Sequence, residues 1–524
     1  MLHDFPFYLI IVIVILLLIM LSNKIKVAYP VLLVLGGLAI SFIPGIPVLR
    51  IDPELIFVIF LPPLLYEAAW NISWKELWRW RRIICSFAFL VVFFTAFSVA
   101  LVANHFIPGF SLALGFLLGG IISPPDAVSA GAILKFVKVP RRMSSILEGE
   151  SLLNDASSLI IFRFALIVVG TGQFIWQDAI ASFGWMLVGG IGIGVAIGFV
   201  AMKLHKYLPT DANSDIILSL VTPYIIYIAA EEVHSSGVLA VVSGGLLLSH
   251  YRLSFLSSSS RLKGVNVWES FCFILNGLIF MFIGLDLPEI VSGLGDVSLS
   301  SAIGYGLLIT AVLIVGRILC AFSAVFITLI ARNFIKVADA RHPGFKGPIL
   351  IGWTGMRGVV SLAAALSIPV QLSDGTPFPQ RNLILFITFV VILTTLLLQG
   401  LTLPYLIKKF HLKDPDYTLP DEEIYNQIKR ELTDHALNHL RTTYGNELER
   451  QPVLQQIACK WEDINLNTSN SILMSDEAKV VYLNLLEHQR NWLLDRNKEE
   501  ILDEEIIRKH LLYLDLEEEK LQFI

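Results

Sequence analysis

The first 411 residues alternate between long apolar runs and short polar connections. Thirteen such runs are centred near residues 14, 36, 61, 93, 122, 158, 190, 222, 243, 277, 316, 358 and 394. Each approaches the roughly 20 mostly apolar residues that a membrane-spanning helix requires. The first, "FPFYLIIVIVILLLIML", has no basic stretch before it and no small-residue cleavage site after it, and so reads as a retained helix rather than a signal peptide. The pattern changes after residue 411. "TLPDEE" reads as a helix start with acids in its first turn, while "SDEAKVVYLNLLEHQRNWLLDR" and "EEILDEEIIRKHLLYL" carry apolar residues at helical spacing with charged outer faces. The predicted fold class is an all-α polytopic membrane protein. It has thirteen transmembrane helices over residues 1–411 and an acidic, mainly helical cytoplasmic domain over residues 412–524.

The connections test that count independently. Cytoplasmic loops collect Lys and Arg. The odd-numbered loops hold nineteen: Lys24 and Lys26; Lys75, Arg79, Arg81 and Arg82; Lys135, Lys138, Arg141 and Arg142; Lys203 and Lys206; Arg252, Arg261 and Lys263; Arg332, Lys336, Arg341 and Lys346. The even-numbered loops hold only Arg50 and Arg381. This alternation predicts an N-terminus outside and a C-terminus inside, and Lys408 and Lys409 after the last helix agree. The expected location is the cell membrane.

Composition sharpens the division. The chain is 16% charged with a mean hydropathy of +0.69, against about 25% charge in a soluble domain. Residues 1–411 carry a net charge of +6 and residues 412–524 a net charge of −11. The acidic segment is either a regulatory or dimer-contacting module or a plain solubilising cap. Cys85, Cys272, Cys320 and Cys459 are widely separated, with no spacing suited to a disulfide or zinc site.

The chemistry lies in ionisable residues inside the apolar runs. Each costs about 2.5–3.5 kcal/mol at mid-bilayer on insertion scales. Glu67, Asp126, Asp155, Arg163, Arg317 and Arg357, with Glu150 at the start of its run, must therefore face one another, water or an ion. Four segments concentrate them. In "FLPPLLYEAAW" two prolines interrupt the helix shortly before Glu67, where a kinked packing helix is the alternative reading. In "GGIISPPDAVSAG" the adjacent Pro124 and Pro125 should unwind the fifth run. They would free carbonyls such as that of Pro125 and set Asp126 at a new helix N-terminus.

In "ESLLNDASSLII", helical geometry puts Ser151, Asn154 and Asp155 on one face, with Glu150 stacked on Asn154. A hydroxyl, an amide and a carboxylate are hard oxygen ligands suited to a small cation. Helix capping is the weaker account of Glu150. In "GWTGMRGVVSLAAALS" three glycines loosen the twelfth run around Arg357, whose permanent charge needs a fixed anion. Glu150 is the expected partner. The fifth and twelfth runs lie an odd number of crossings apart and so run in opposite directions. Interrupted helices at inverted positions point to a transporter site, with helices 4–6 and 11–13 as the two repeats.

"FLPPLLYE", "SPPDAVSA", "GESLLNDA" and "GMRGVVSL", in this order and spacing, resemble the sodium/proton exchanger family of monovalent cation:proton antiporters across roughly residues 5–410. The resemblance implies a dimerisation domain and a six-helix core with two crossed, unwound helices, in a homodimer. It implies that Asp155 is the titrating carboxylate that binds the cation, with Ser151 and Glu67 as supporting sodium ligands. It implies further that Pro125 contributes a carbonyl, that Asp126 orders the crossing, and that Glu150 and Arg357 form a structural ion pair. Asn154 stands where electrogenic relatives carry a second aspartate, which favours electroneutral exchange. The order Pro125-Asp126-Ala127 departs from the Thr-Asp-Pro common in the family.

The expected function is antiport of a monovalent cation, foremost Na+, against H+, with no cofactor and no enzymatic activity. Burial favours a protonated carboxyl, so a proton and a dehydrated cation contend for the same oxygens. A K+/H+ antiporter of the same fold is the alternative. A cation channel is the rival from another class, but no repeated filter motif occurs. "GLGD" at 293–296 matches a membrane aspartyl protease motif, yet Asp296 falls in a predicted outside loop with no second aspartate. The Gly-rich "GGIGIGVAIG" at 189–198 is read as a helix-packing surface.

Overall fold

The computed structural model describes residues 5–43, 53–134, 137, 139–172, 176–295, 297–331, 333, 344–372, 375–410, 421–467, 476–496 and 504–520. Arg50, Lys135, Lys138, Arg332, Lys336, Arg341, Asp296 and the predicted domain boundary at residue 411 lie outside the described residues. The chain divides into two compact units, residues 1–415 and 416–524. The described residues of the first are helical apart from turns, loops and one isolated β-bridge between Gln371 and Pro377.

Among the described residues, eight helices are long and apolar enough to cross a membrane: Trp74–Phe106, Arg141–Thr171, Ile180–Tyr207, Ala212–Glu232, Gly237–Phe255, Ser258–Ser292, Leu299–Ile330 and Arg381–Phe410. Leu9–Ile25, Tyr29–Ser41 and Leu112–Ile122 are shorter apolar helices. Each of the thirteen predicted run centres falls in a helix or beside a helix interruption. Two interruptions matter most. Leu112–Ile122 is separated from Ala127–Leu134 by Ser123–Asp126, where Pro124 and Pro125 lack the N–H groups that would continue the ladder. Lys346–Trp353 is separated from Val359–Leu366 by Thr354–Gly358. A third irregularity, the π-helical turn Ser86–Val91 inside Trp74–Phe106, presents the Ala88 carbonyl to the Ser157 hydroxyl, which donates to it.

Small residues let the helices approach closely. Along Trp176–Tyr207, Gly190, Gly194 and Gly198 recur every four residues, as the packing reading of this stretch anticipates. They meet Ser236, Ala240 and Gly244, which recur every four residues on Gly237–Phe255 and its cap. A Cβ at Gly194 would collide with the Ala240 carbonyl oxygen.

The second unit comprises Asp421–Thr443, Gly445–Arg450, Pro452–Asn467, Asp476–Arg496 and Glu504–Lys520. Leu486 and Leu514 pack between the last two helices, and Arg490 adds hydrogen bonds to Asp515 (2.9 Å) and Glu518.

Gly194→Val is expected to destabilise the protein by about 1–3 kcal/mol through overpacking against helix Gly237–Phe255. The thermal unfolding midpoint of the detergent-purified protein checks this, with Gly192→Val as control, since nothing lies within 4 Å of a Cβ there.

Candidate cation site

The two interruptions lie against one another. With no proline at its own nitrogen, Asp126 still has an N–H, and it donates to the Met356 carbonyl in the second interruption at 2.8 Å. The Asp126 carboxylate then caps helix Ala127–Leu134. It accepts from the N–H of Val128 (3.0 Å) and Ser129 (3.3 Å) and from the Ser129 hydroxyl (2.5 Å). From the other side, the Arg357 N–H donates to the Thr395 hydroxyl (3.2 Å), and its guanidinium donates to the Ile122 carbonyl (2.5 Å) and the Gly355 carbonyl. Ile122 ends its helix, so its carbonyl is among those that no later turn can satisfy. A Cβ at Gly358 would strike the Asp126 carboxylate, and only glycine allows this approach.

Helix Arg141–Thr171 runs past this junction. Asn154 is fully buried and donates from Nδ2 to the Pro125 carbonyl at 3.3 Å, across 29 residues of sequence. Asp155 is 7% exposed and lies within electrostatic reach of Asp126. Among the described residues, no hydrogen-bond donor or cation engages its carboxylate. Ser151 lies one turn earlier on the same face and is half-buried. Glu67 is half-buried on helix Pro53–Asn71 and accepts from Asn71 Nδ2 at 2.6 Å. It lines a cavity of about 470 Å³ whose walls include Trp70, Asn71, Asp215 and Trp268. A second cavity, of about 600 Å³, reaches Leu159, one turn beyond Asp155, and also meets Arg163, Tyr227, Glu231 and Ser367.

Residues 10–409 match the family profile described as sodium/hydrogen exchanger, transmembrane. The chain belongs to the sodium/hydrogen exchanger family. It is 38% identical over 381 residues to the sodium, potassium, lithium and rubidium/H+ antiporter of Bacillus subtilis, covering 71% of this chain and 56% of that protein. The antiporter of the same description from Bacillus pumilus is 34% identical over 417 residues, 78% of this chain and 61% of that protein. The chain thus spans less than two thirds of either Bacillus relative. An uncharacterised Na+/H+ exchanger of Mycobacterium tuberculosis is 30% identical over 516 residues, 96% of this chain and 93% of that one. In three dimensions the chain resembles the sodium proton antiporter MjNhaP1 of Methanocaldococcus jannaschii, solved at pH 8. The TM-score is 0.62 at 18% identity, over 78% of this chain and 98% of that one. That likeness establishes the antiporter fold.

One expected contact is replaced. Glu150 is 1% exposed, and its partner is Arg317 rather than Arg357. Arg317 donates from both terminal nitrogens to the two Glu150 oxygens, at 2.6 and 2.9 Å, and from Nε to the Ile351 carbonyl at 3.3 Å. One guanidinium fork fills one carboxylate fork. Arg357 stays within electrostatic reach of Glu150, but its hydrogen bonds go to the carbonyls that the broken helices release. The remaining intramembrane cation, Arg163, pairs with Glu231 on helix Ala212–Glu232.

Sequence reasoning also missed Tyr29, which lies within electrostatic reach of both Asp126 and Glu67. Only its place at the first turn of an apolar helix signals it. Thr395 was equally silent: a buried threonine in an apolar helix gives no sign that it accepts from a backbone N–H in the helix interruption 38 residues earlier.

Removing one member of the Glu150–Arg317 pair strands a buried charge, so Arg317→Ala is expected to cost about 3–5 kcal/mol. Replacing both (Glu150→Leu with Arg317→Met) is expected to recover much of that loss. Unfolding midpoints of the two singles and the double check it; additive losses would show that the pair is not the unit.

Proposed function

We propose that this protein is a monovalent cation/H+ antiporter in which Asp155 alternately holds a proton and a cation. The observation that carries the reading is a buried carboxylate that, among the described residues, has no hydrogen-bond donor or counter-cation, set beside two abutting helix interruptions in a chain of the exchanger family. A proton neutralises such a group, and so does a dehydrated Na+, and the two cannot share its oxygens. Ser151 and Glu67 supply further oxygens. The Pro125 carbonyl, steadied by Asn154, keeps a second lone pair for the ion.

In this reading the chain crosses the cell membrane thirteen times, with its N-terminus outside and its C-terminus in the cytoplasm, and works as a homodimer. The two interrupted helices form a crossing within a core of helices 4–6 and 11–13. The cavities at Glu67 and at Leu159 are the approaches from the two sides, used in turn. Coupling follows if the site changes access only when Asp155 is occupied. Asn154 is neutral, so each cycle moves one cation against one proton. Na+ is the first candidate substrate. The description of the Bacillus relatives as sodium, potassium, lithium and rubidium antiporters supports K+ as a second one.

Proteoliposomes carrying an internal pH dye, challenged in turn with Na+, Li+ and K+, are expected to alkalinise or acidify with the imposed gradient. Asp155→Asn should reduce this to the level of empty vesicles in a folded protein. Substantial Na+-driven proton movement in that variant would refute the assignment. With a membrane potential imposed, the wild-type rate should not change, whereas Asn154→Asp should become potential-sensitive. Potential-driven exchange by the wild type would overturn the one-for-one stoichiometry.

A further inference from the structure

The stretch Trp74–Cys85, "WKELWRWRRIIC", opens the long helix Trp74–Phe106 and has faces of two kinds. Leu77, Trp80 and Ile84, at spacings of three and four, pack with Ile146 of helix Arg141–Thr171. Trp74, Trp78 and Arg81, at spacings of four and three, form a separate, exposed stripe. Trp74 and Trp78 are 44% and 60% exposed, and their rings stack 6.4 Å apart and 12° from parallel. The Arg81 guanidinium lies 4.5 Å from the centre of the Trp78 ring and donates to the Trp78 carbonyl at 2.5 Å. The His250 ring of helix Gly237–Phe255 lies 5.5 Å from Trp74.

Charge on this surface is one-sided. Trp74–Cys85 carries Lys75, Arg79, Arg81 and Arg82 against Glu76 alone. Arg141 and Arg142 open helix Arg141–Thr171, whose first turn holds no acid. The buried Trp80 gathers cations from both helices: Arg79 stands 4.9 Å and Arg142 4.3 Å from its ring centre. Glu76 accepts from Trp80 Nε1 at 2.9 Å, and its other oxygen lies 3.9 Å from Arg79. Arg82, also exposed, is four residues from Trp78 and three from Arg79, so it joins the two groups along the helix surface. Cation–π contact holds each guanidinium, yet two like charges on one ring repel. An anion touching both relieves that repulsion, and the planar guanidinium fork matches a phosphate. Exposed indoles beside cations suit a membrane–water interface, where Trp sits at headgroup level and basic clusters attract anionic lipid.

We propose that this surface binds an anionic phospholipid, its phosphate held by Arg79, Arg82 and Arg142 and its acyl chains laid against Trp74 and Trp78. The headgroup links the start of the helix that carries Asp155 to the helix whose Ala88 carbonyl accepts from Ser157. In the proposed topology both helix ends face the cytoplasm, so the lipid comes from that leaflet. The choice of leaflet rests on that reading, whereas the binding itself depends neither on antiport nor on Asp155.

Unfolding midpoints of the full-length, detergent-purified protein test the site, with phosphatidylglycerol, phosphatidylcholine or inorganic phosphate added. Phosphatidylglycerol should raise the wild-type midpoint by about 2–4 °C through ligand-linked stabilisation, and the neutral lipid and the free anion should not. Arg79→Gln with Arg142→Gln should lose most of that rise. Lys408→Gln with Lys409→Gln, which removes equal charge from exposed positions elsewhere, should keep it. A second measurement needs no arginine variant. Phosphatidylglycerol with brominated acyl chains should quench indole fluorescence more than brominated phosphatidylcholine at equal mole fraction, and Trp74→Phe with Trp78→Phe should remove the difference. A rise equal in the arginine and lysine pairs, or a quenching difference that survives both phenylalanines, would overturn the site. An equal rise from phosphatidylcholine would overturn headgroup recognition, and one from inorganic phosphate would overturn the lipid as the source of the anion.

Discussion

A charge removed from water must be answered by another charge, a hydrogen bond or a bound ion. In this chain that demand is met where two broken helices abut. Each break releases backbone groups that an intact helix would consume internally, and each supplies what the other lacks. The Asp126 N–H finds the Met356 carbonyl, and the Arg357 guanidinium finds the carbonyls of Ile122 and Gly355. Irregular backbone at this depth survives because protein surrounds it. The Asn154 amide extends the same network to helix Arg141–Thr171. Asp155, the next residue, is held at the junction but left out of its hydrogen bonds, which suits the ligand exchange proposed for it.

Glu150 and Asp155 show how one helix can give two carboxylates opposite surroundings. They are five residues apart, so they point to different neighbours. Glu150 meets the Arg317 fork and is fully satisfied, while Asp155 meets another acid, Asp126, within electrostatic reach. The first arrangement resists change and the second favours an incoming cation. The small-residue face at Gly190, Gly194 and Gly198 belongs to a different part of the unit, where close packing replaces polar chemistry.

What the sequence made legible was local. Apolar runs, the Pro124–Pro125 break, the glycines around Arg357 and the one-face spacing of Ser151, Asn154 and Asp155 follow from backbone chemistry within a few residues. Candidate residues follow from that spacing, and the structure brings Asn154 to Pro125 and Asp155 near Asp126. Partners distant in sequence were not legible. Arg317 lies 167 residues from Glu150 and sits in an otherwise apolar run, so nothing local distinguished it from Arg357 as the counter-ion. Arg357 was the more conspicuous because glycines flank it, but those glycines serve close contacts with Arg317 and Asp126. Tyr29 and Thr395 were hidden for the same reason: their partners are set by packing.

In the proposed cycle one carboxylate takes either a proton or a cation. The most direct test is the proton count that accompanies cation binding to purified protein in a weakly buffered solution, without a membrane or a gradient. Competition at Asp155 predicts about one proton released per Na+ bound near the pH where both forms are populated, and none from Asp155→Asn. Sodium binding without proton release, or release that survives in Asp155→Asn, would contradict it.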